Sequence, residues 1–368
     1  MIVLRILSVA VGALLVIGVI DSAVRTVILP RASRSALSAT VFRVARMGFR
    51  LVASRFSSWP SRDRVMALLG PVGLVMIVAS WLVLTLSGFT LVFWGLDAGP
   101  LGRSFTLSGS SLTTLGFAAP DRLADQALAF GEALLGLFVL TLLITYLPAI
   151  YGAFRRREVR VARLEVRAGS PPSAVEFLIR YYRIGWLDRL EEEFQEWEAW
   201  FAEIEESQTS YPVLSFFRSP HPERSWITAA GAVLDAAALF ASAVDGYATG
   251  PAAVCLRSGY LALRRIGDGF RIAYDSDPAP TDPVAVTREE FDEAFSQLSA
   301  EGLPVVEDRE SAWLAFAGWR VNYETVLLEL AELVMAPFAP WTSDRSPPGL
   351  VRPNFTRSRL WRRQGRVG

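Results

Sequence analysis

Three long apolar runs constrain this chain more than any other feature. Residues 6 to 20, "ILSVAVGALLVIGVI", are apolar without a break, and the trend continues past Asp21 and Arg25 to Pro30. Residues 66 to 95, "MALLGPVGLVMIVASWLVLTLSGFTLVFWG", and 127 to 154, "ALAFGEALLGLFVLTLLITYLPAIYGAF", form the second and third. The last two exceed the roughly 18 apolar residues that mark a membrane helix. A helix from about Ile2 to Leu29 would measure roughly 42 Å, enough to cross a hydrocarbon core of about 30 Å with tilt. Three such runs are too many for one soluble core. A cleaved signal peptide is the rival reading for the first, with Arg5 ahead of the apolar stretch, but "DSA" at 21 to 23 is a poor small-x-small cleavage site.

The rest of the chain belongs to a different solvent. Apolar residues make up 52 % of the 368 positions, and the excess lies early: the first 154 residues hold 6 acids and 12 arginines, the remaining 214 hold 31 acids and 25 arginines. Every basic residue is arginine, a codon-usage mark of a GC-rich prokaryote. Arg31, Arg34, Arg43, Arg46, Arg50, Arg55, Arg62 and Arg64 follow the first run, and Arg155, Arg156 and Arg157 end the third. The positive-inside rule puts both flanks in the cytoplasm, so the second and third runs form an out-and-back hairpin. Between 31 and 64, Leu37, Val41, Val44, Met47, Leu51 and Val52 gather near one face with arginines off it, the pattern of an interfacial helix; a surface helix on the soluble half is the alternative. The single cysteine, Cys255, permits no disulfide within the chain.

The hairpin connection is "SSLTTLGFAAP", residues 110 to 120. A plain outer loop is one reading. The other is a short helix over "SFTLSGSSLTT" that re-enters the bilayer and returns as an extended strand. Irregular backbone survives at that depth only where it is buried in protein or lines a watery path. A cation path needs stacked carbonyl oxygens, a threonine ring, and glycine to turn successive carbonyls one way. Thr113, Thr114, Leu115, Gly116 and Phe117 meet that description.

In these residues the chain resembles the potassium-channel pore domain, whose filter reads Thr-Thr-Val-Gly-Tyr-Gly-Asp. The likeness covers about residues 66 to 154, including "EALLGLF" from Glu132 to Phe138, which resembles the inner helix of bacterial two-helix channels. It implies an all-α membrane protein with three transmembrane helices and a re-entrant pore loop, assembled as a homotetramer because one loop cannot close a ring. It further implies filter positions Thr113 to Ala118, with Thr114 as the innermost ligand ring, and a gating hinge at Gly136. Glu132 would sit behind the filter and bond Ser110 or Ser111, bracing the loop; a snorkelled or interfacial carboxylate is the alternative. Ala118 stands where the family has its second glycine, so a left-handed alanine would cost roughly 1–2 kcal/mol. Phe117 lacks the family tyrosine hydroxyl, Ala119 replaces the aspartate, and Thr106 and Leu107 replace pore-helix aromatics. A one-glycine filter looks like the pore loops of Trk- and Ktr-type potassium transporters.

The expected organisation is therefore a first transmembrane helix (1–30), a cytoplasmic amphipathic segment (31–64), the pore domain (65–154), a helical cytoplasmic domain (155–345) and a basic disordered tail (346–368). In the soluble half, Ser173 with Glu176 and Thr287 with Glu290 read as capping boxes. Leu187, Leu190, Phe194, Trp197, Phe201 and Ile204 form a seam spaced by threes and fours, suited to packing within the domain or to a coiled coil between subunits. Residues 226 to 245 read as a buried domain helix rather than a fourth span. The glutamates between 191 and 206 read as a solvated face, with a divalent-cation sensor as the alternative.

No catalytic constellation emerges: His221 is the only histidine, and "GDGF" at 267 to 270 lacks dinucleotide-binding spacing. The expectation is a non-enzyme of the bacterial inner membrane, multi-pass, with its C-terminal domain in the cytoplasm. Its permeant ion would be a monovalent cation, K+ foremost. Expected partners are membrane lipid, further copies of the chain and an unidentified cytoplasmic regulator, and not nucleic acid. The competing class is a non-conducting membrane-anchored scaffold or sensor with a degenerate pore loop.

Overall fold

The computed structural model describes residues 2–28 and 35–345. The expectations for Leu29 to Arg34 and for the basic tail from 346 onward lie outside the described residues. Every regular element among them is helical, apart from one isolated antiparallel bridge between Val244 and Val305. The chain divides into two compact units. One comprises Met1–Val52 with Leu68–Gly152, and the other Ala53–Ala67 with Ala153–Gly368.

The first unit contains α1 (Ile2–Ala23) with a π-helical turn (Val24–Ile28), α2 (Ala36–Ala53), α4 (Leu69–Gly95), α5 (Leu101–Leu112) and the first part of α6 (Leu123–Ala168). Here α3 (Trp59–Ala67) is counted in chain order but belongs to the second unit. The α1–α4 pair packs closely because its contact line is small: a side chain at Gly88 would come within 2.9 Å of the Gly12 carbonyl. Without water in an apolar layer, polar side chains must find partners inside. Ser8 donates to the Leu91 carbonyl at 2.7 Å, and Trp81 donates its indole N–H to Ser22 at 2.9 Å. Asp21 and Arg25 pair at 2.7 Å, one helical turn apart. Val19, Ile77, Trp81, Val139 and Leu142 form one apolar core, and Phe89, Phe93, Leu107 and Ala129 a second.

The second unit is built around α9 (Trp226–Ala243), every residue of which except Ala241 is buried. Around it lie α7 (Ala174–Arg183), α10 (Gly250–Phe270), α12 (Arg309–Arg320) and α13 (Glu324–Val334), with α8 (Leu190–Ser210) against α10 and α11 (Arg288–Ala300) completing the unit. The expected seam on α8 is core of this unit: Leu190, Phe194, Trp197, Phe201 and Ile204 are all buried within the chain. Asp235 of α9 meets Arg320, and Arg320 also donates to Glu324 at 2.6 Å, while Tyr323 donates to Asp235 at 2.7 Å. Thr287 and Glu290 form the full reciprocal capping box of α11, whereas Ser173 caps α7 from one side only. α12 and α13 are separated by a short break, from Val321 to Tyr323.

Four helical stretches are long and apolar enough to cross a membrane: Ile2–Val27, Trp59–Gly95, Leu123–Ala168 and Trp226–Ala243. This marks a membrane-embedded protein. In the first three, 17, 39 and 28 % of the most apolar window is buried within the chain; in the fourth it is 89 %, so protein already covers α9. The third stretch outruns its expected end at 154 by a further 14 residues, as α6 continues unbroken through its arginines and contains Pro148.

Candidate functional site

The connection between α4 and α6 is the helix α5 followed by an irregular segment that runs to Arg122. Pro100 precedes α5 in extended conformation, a suitable entry because its missing N–H would have had no helical partner. At the other end Thr113 is the C-cap, and the N–H groups of Thr114 and Leu115 donate to the carbonyls of Ser111 and Ser110, both at 3.0 Å. That crossed pair is a Schellman ending, whose next residue must adopt a left-handed conformation. Thr114 adopts it, at φ +56°, and Gly116 follows at +71°.

The strain expected at Ala118 therefore falls elsewhere. Ala118 has no positive φ; the non-glycine residue in the left-handed region is Thr114, placed there by the helix ending. Ser110 braces the return. Its hydroxyl accepts from the Ala118 N–H at 3.0 Å and lies 3.2 Å from the Ala118 carbonyl, and its own carbonyl also receives the Gly116 N–H at 3.3 Å. Ser111 contributes its carbonyl to Thr114. Among the described residues, no hydrogen bond engages the carbonyls of Thr114, Leu115, Gly116 or Phe117. Leu115 is 69 % and Phe117 67 % exposed. The exit is tied down as well: Gln126 donates to the Pro120 carbonyl at 3.2 Å, and Arg103 pairs with Asp121 at 2.6 Å.

Glu132 is fully buried, but its partner is Ser108 rather than Ser110 or Ser111. The physical reason is helical phase: Ser108 lies on the face of α5 that meets α6, while Ser110 points into the return segment. Sequence reasoning missed Ser108 and its neighbour one turn back, Ser104, also fully buried; their spacing of four was the available signal. Among the described residues, the hydroxyls of Ser104 and Thr85 and the second carboxylate oxygen of Glu132 find no hydrogen-bond partner.

At Gly136, α6 is helical without interruption, and the demand for glycine comes from the neighbouring helix end. A Cβ there would lie 2.5 Å from the Leu112 carbonyl oxygen and 3.1 Å from its Cδ1. Among the described residues no cluster of three or more His, Cys, Asp or Glu side chains could hold a metal ion. Comparison of the chain with family models, curated proteins and solved structures finds no match.

Proposed function

We propose that this chain is the subunit of a tetrameric, channel-like membrane protein that passes monovalent cations, K+ foremost, through a filter formed by Thr113 to Ala118. The supporting observation is the run of uncommitted carbonyls from Thr114 to Phe117, which contains two positive-φ positions, Thr114 and Gly116, and lies between two apolar helices. Carbonyl oxygens without donors are costly in an apolar layer, and an ion shedding water is one partner that satisfies several at once. The negative end of α5 points its dipole toward the same segment. Further copies of the chain would cover Leu115 and Phe117. On this reading α1, α4 and α6 are the spans, α5 with its return is the re-entrant loop, and the helical second unit lies in the bacterial cytoplasm, serving assembly or regulation.

The test is flux. Purified assemblies in liposomes with K+ or Na+ gradients are expected to conduct, and Gly116→Val is expected to stop conduction while the helices stay folded. Well-folded tetramers without cation-dependent flux would refute conduction and favour the scaffold or sensor.

A further inference from the structure

Among the described residues, no cation pairs with the buried acid Glu132. The charged side chains on the elements around it are paired elsewhere: Arg103 of α5 with Asp121, Arg122 with Asp125 of α6, and, on α1, Arg5 with Asp97 and Arg25 with Asp21. α4 carries no charged residue, and α2, bearing Arg43, Arg46 and Arg50, sets Phe42 against Gly73 of α4 and Leu37 and Val41 against the core that contains Ile77 and Trp81. Among the described residues, the Ser108 hydroxyl is the only hydrogen-bond partner of the carboxyl group.

Counting hydrogens at Ser108 then decides the state of Glu132. Its Oγ lies 3.0 Å from the Leu86 carbonyl and in contact with Glu132 Oε1, two acceptors if the acid is ionised. A hydroxyl has one proton to give. Given to a carboxylate, it leaves Ser108 and the Leu86 oxygen facing each other with nothing between them. Given to Leu86, it leaves Ser108 able only to accept, so the proton in the second contact must come from Glu132. The Leu86 carbonyl lies inside α4 and is shared by the helical N–H of Thr90, Thr90 Oγ1 at 2.7 Å and Ser108. The orphaned Oε2 points the same way, because an unpaired neutral oxygen costs far less in a buried site than an unpaired charge.

We propose that Glu132 is a proton-binding site of the membrane unit: its carboxyl carries a proton donated to Ser108, Ser108 donates its own to the Leu86 carbonyl, and the chain ties α6 through α5 to α4. When the acid O–H bond breaks, the electron pair stays on the carboxylate and the proton passes to water. Glu132 then becomes an acceptor facing an acceptor, and the seat of α5 loosens just ahead of Thr113. The native state holds a proton that the unfolded chain releases at neutral pH, so this contribution weakens as pH rises.

The inference stands on contacts within one subunit and not on conduction. Infrared difference spectra of the full-length protein at neutral pH, wild type minus Glu132→Gln, are expected to contain the carbonyl stretch of a protonated carboxylic acid. Ser108→Ala should move that band to higher frequency as the acid loses its acceptor. Raising the pH should lower the wild-type melting midpoint relative to Glu132→Gln, whose amide N–H makes the same donation. A carboxylate band pair in place of the acid band at neutral pH, or a midpoint difference that does not change with pH, overturns the proposal. Neither readout measures flux, so failure here is separate from failure of the channel reading.

Discussion

Alanine at Gly136 perturbs the place where α6 approaches Leu112, the last residue of α5. The added Cβ would sit 2.5 Å from the Leu112 oxygen, whereas an ordinary carbon–oxygen approach is about 3.3 Å. Leu112 must therefore retreat by about 0.8 Å, or α6 must. Backbone cannot rotate aside as a flexible side chain does, so the overpacking is expected to cost about 1–3 kcal/mol. Leu112 is the last residue of α5, and its displacement passes directly to Thr113 and Thr114. Gly131, one turn and a half earlier on the same helix, has nothing within 4 Å of its Cβ position, so alanine there should gain up to about 1 kcal/mol of helix propensity. Thermal unfolding of the reconstituted protein, with flux beside it, reads both variants. Gly136→Ala should melt lower and conduct less, and Gly131→Ala should do neither. Equal melting of the two variants would refute the close-approach argument, whatever the flux.

Thr114→Gly should raise the melting midpoint of the membrane unit, because glycine relieves a left-handed threonine worth about 1 kcal/mol; a lower midpoint would mean the hydroxyl's 2.7 Å bond to the Thr113 carbonyl outweighs that strain. Arg320→Met leaves Asp235 and Glu324 buried without a counter-charge and is expected to cost about 3–5 kcal/mol. Alkylation of Cys255 reports that loss, since burial closes the site and pushes its thiol up from the ordinary value; unchanged protection of Cys255 would count against it. Arg345 holds Glu290 below the ordinary carboxylate value, so the bond's contribution is present above the unfolded carboxyl pKa and lost as pH falls through the depressed folded value. Wild type should therefore melt above Arg345→Ala at pH 7, with the gap closing in acid; a gap independent of pH would exclude this pair as its source.

How much the sequence revealed depended on whether the signal was local. The apolar stretches of α4 and α6 and the burial of α9 followed from hydropathy and flanking charge. The short α5 was legible too, though it begins three residues before the expected Ser104, because Pro100 and not a serine starts it. α3 was hidden: its nine residues bury only Asp63 and Met66, too few for a period, and it is held by tertiary bonds such as Asp63 with Arg218. α6 outran the arginine run that ends its apolar part because those arginines are good helix formers; Arg157, for one, donates to the Leu214 carbonyl at 2.8 Å. The break between α12 and α13 has no glycine or proline to mark it, and Arg264 of α10 donates to the Asn322 carbonyl there at 3.0 Å. In the loop, residue types gave the segment but not its phase. A helical rotation of 100° per residue separates Ser108 from Ser110, and only the packed structure reveals which of them turns toward Glu132.

Pro148 imposes one more demand on α6. Lacking an N–H, it leaves the carbonyl of Ile144, four residues earlier, without its customary amide, in a stretch whose other residues are nearly all apolar. The hydroxyls close by are occupied: Thr141 donates to Leu137, and Thr145 to Thr141 and Leu142. Lipid tails offer that oxygen no donor, so moisture or an adjoining chain must reach it, and the helix bends most cheaply at the same level.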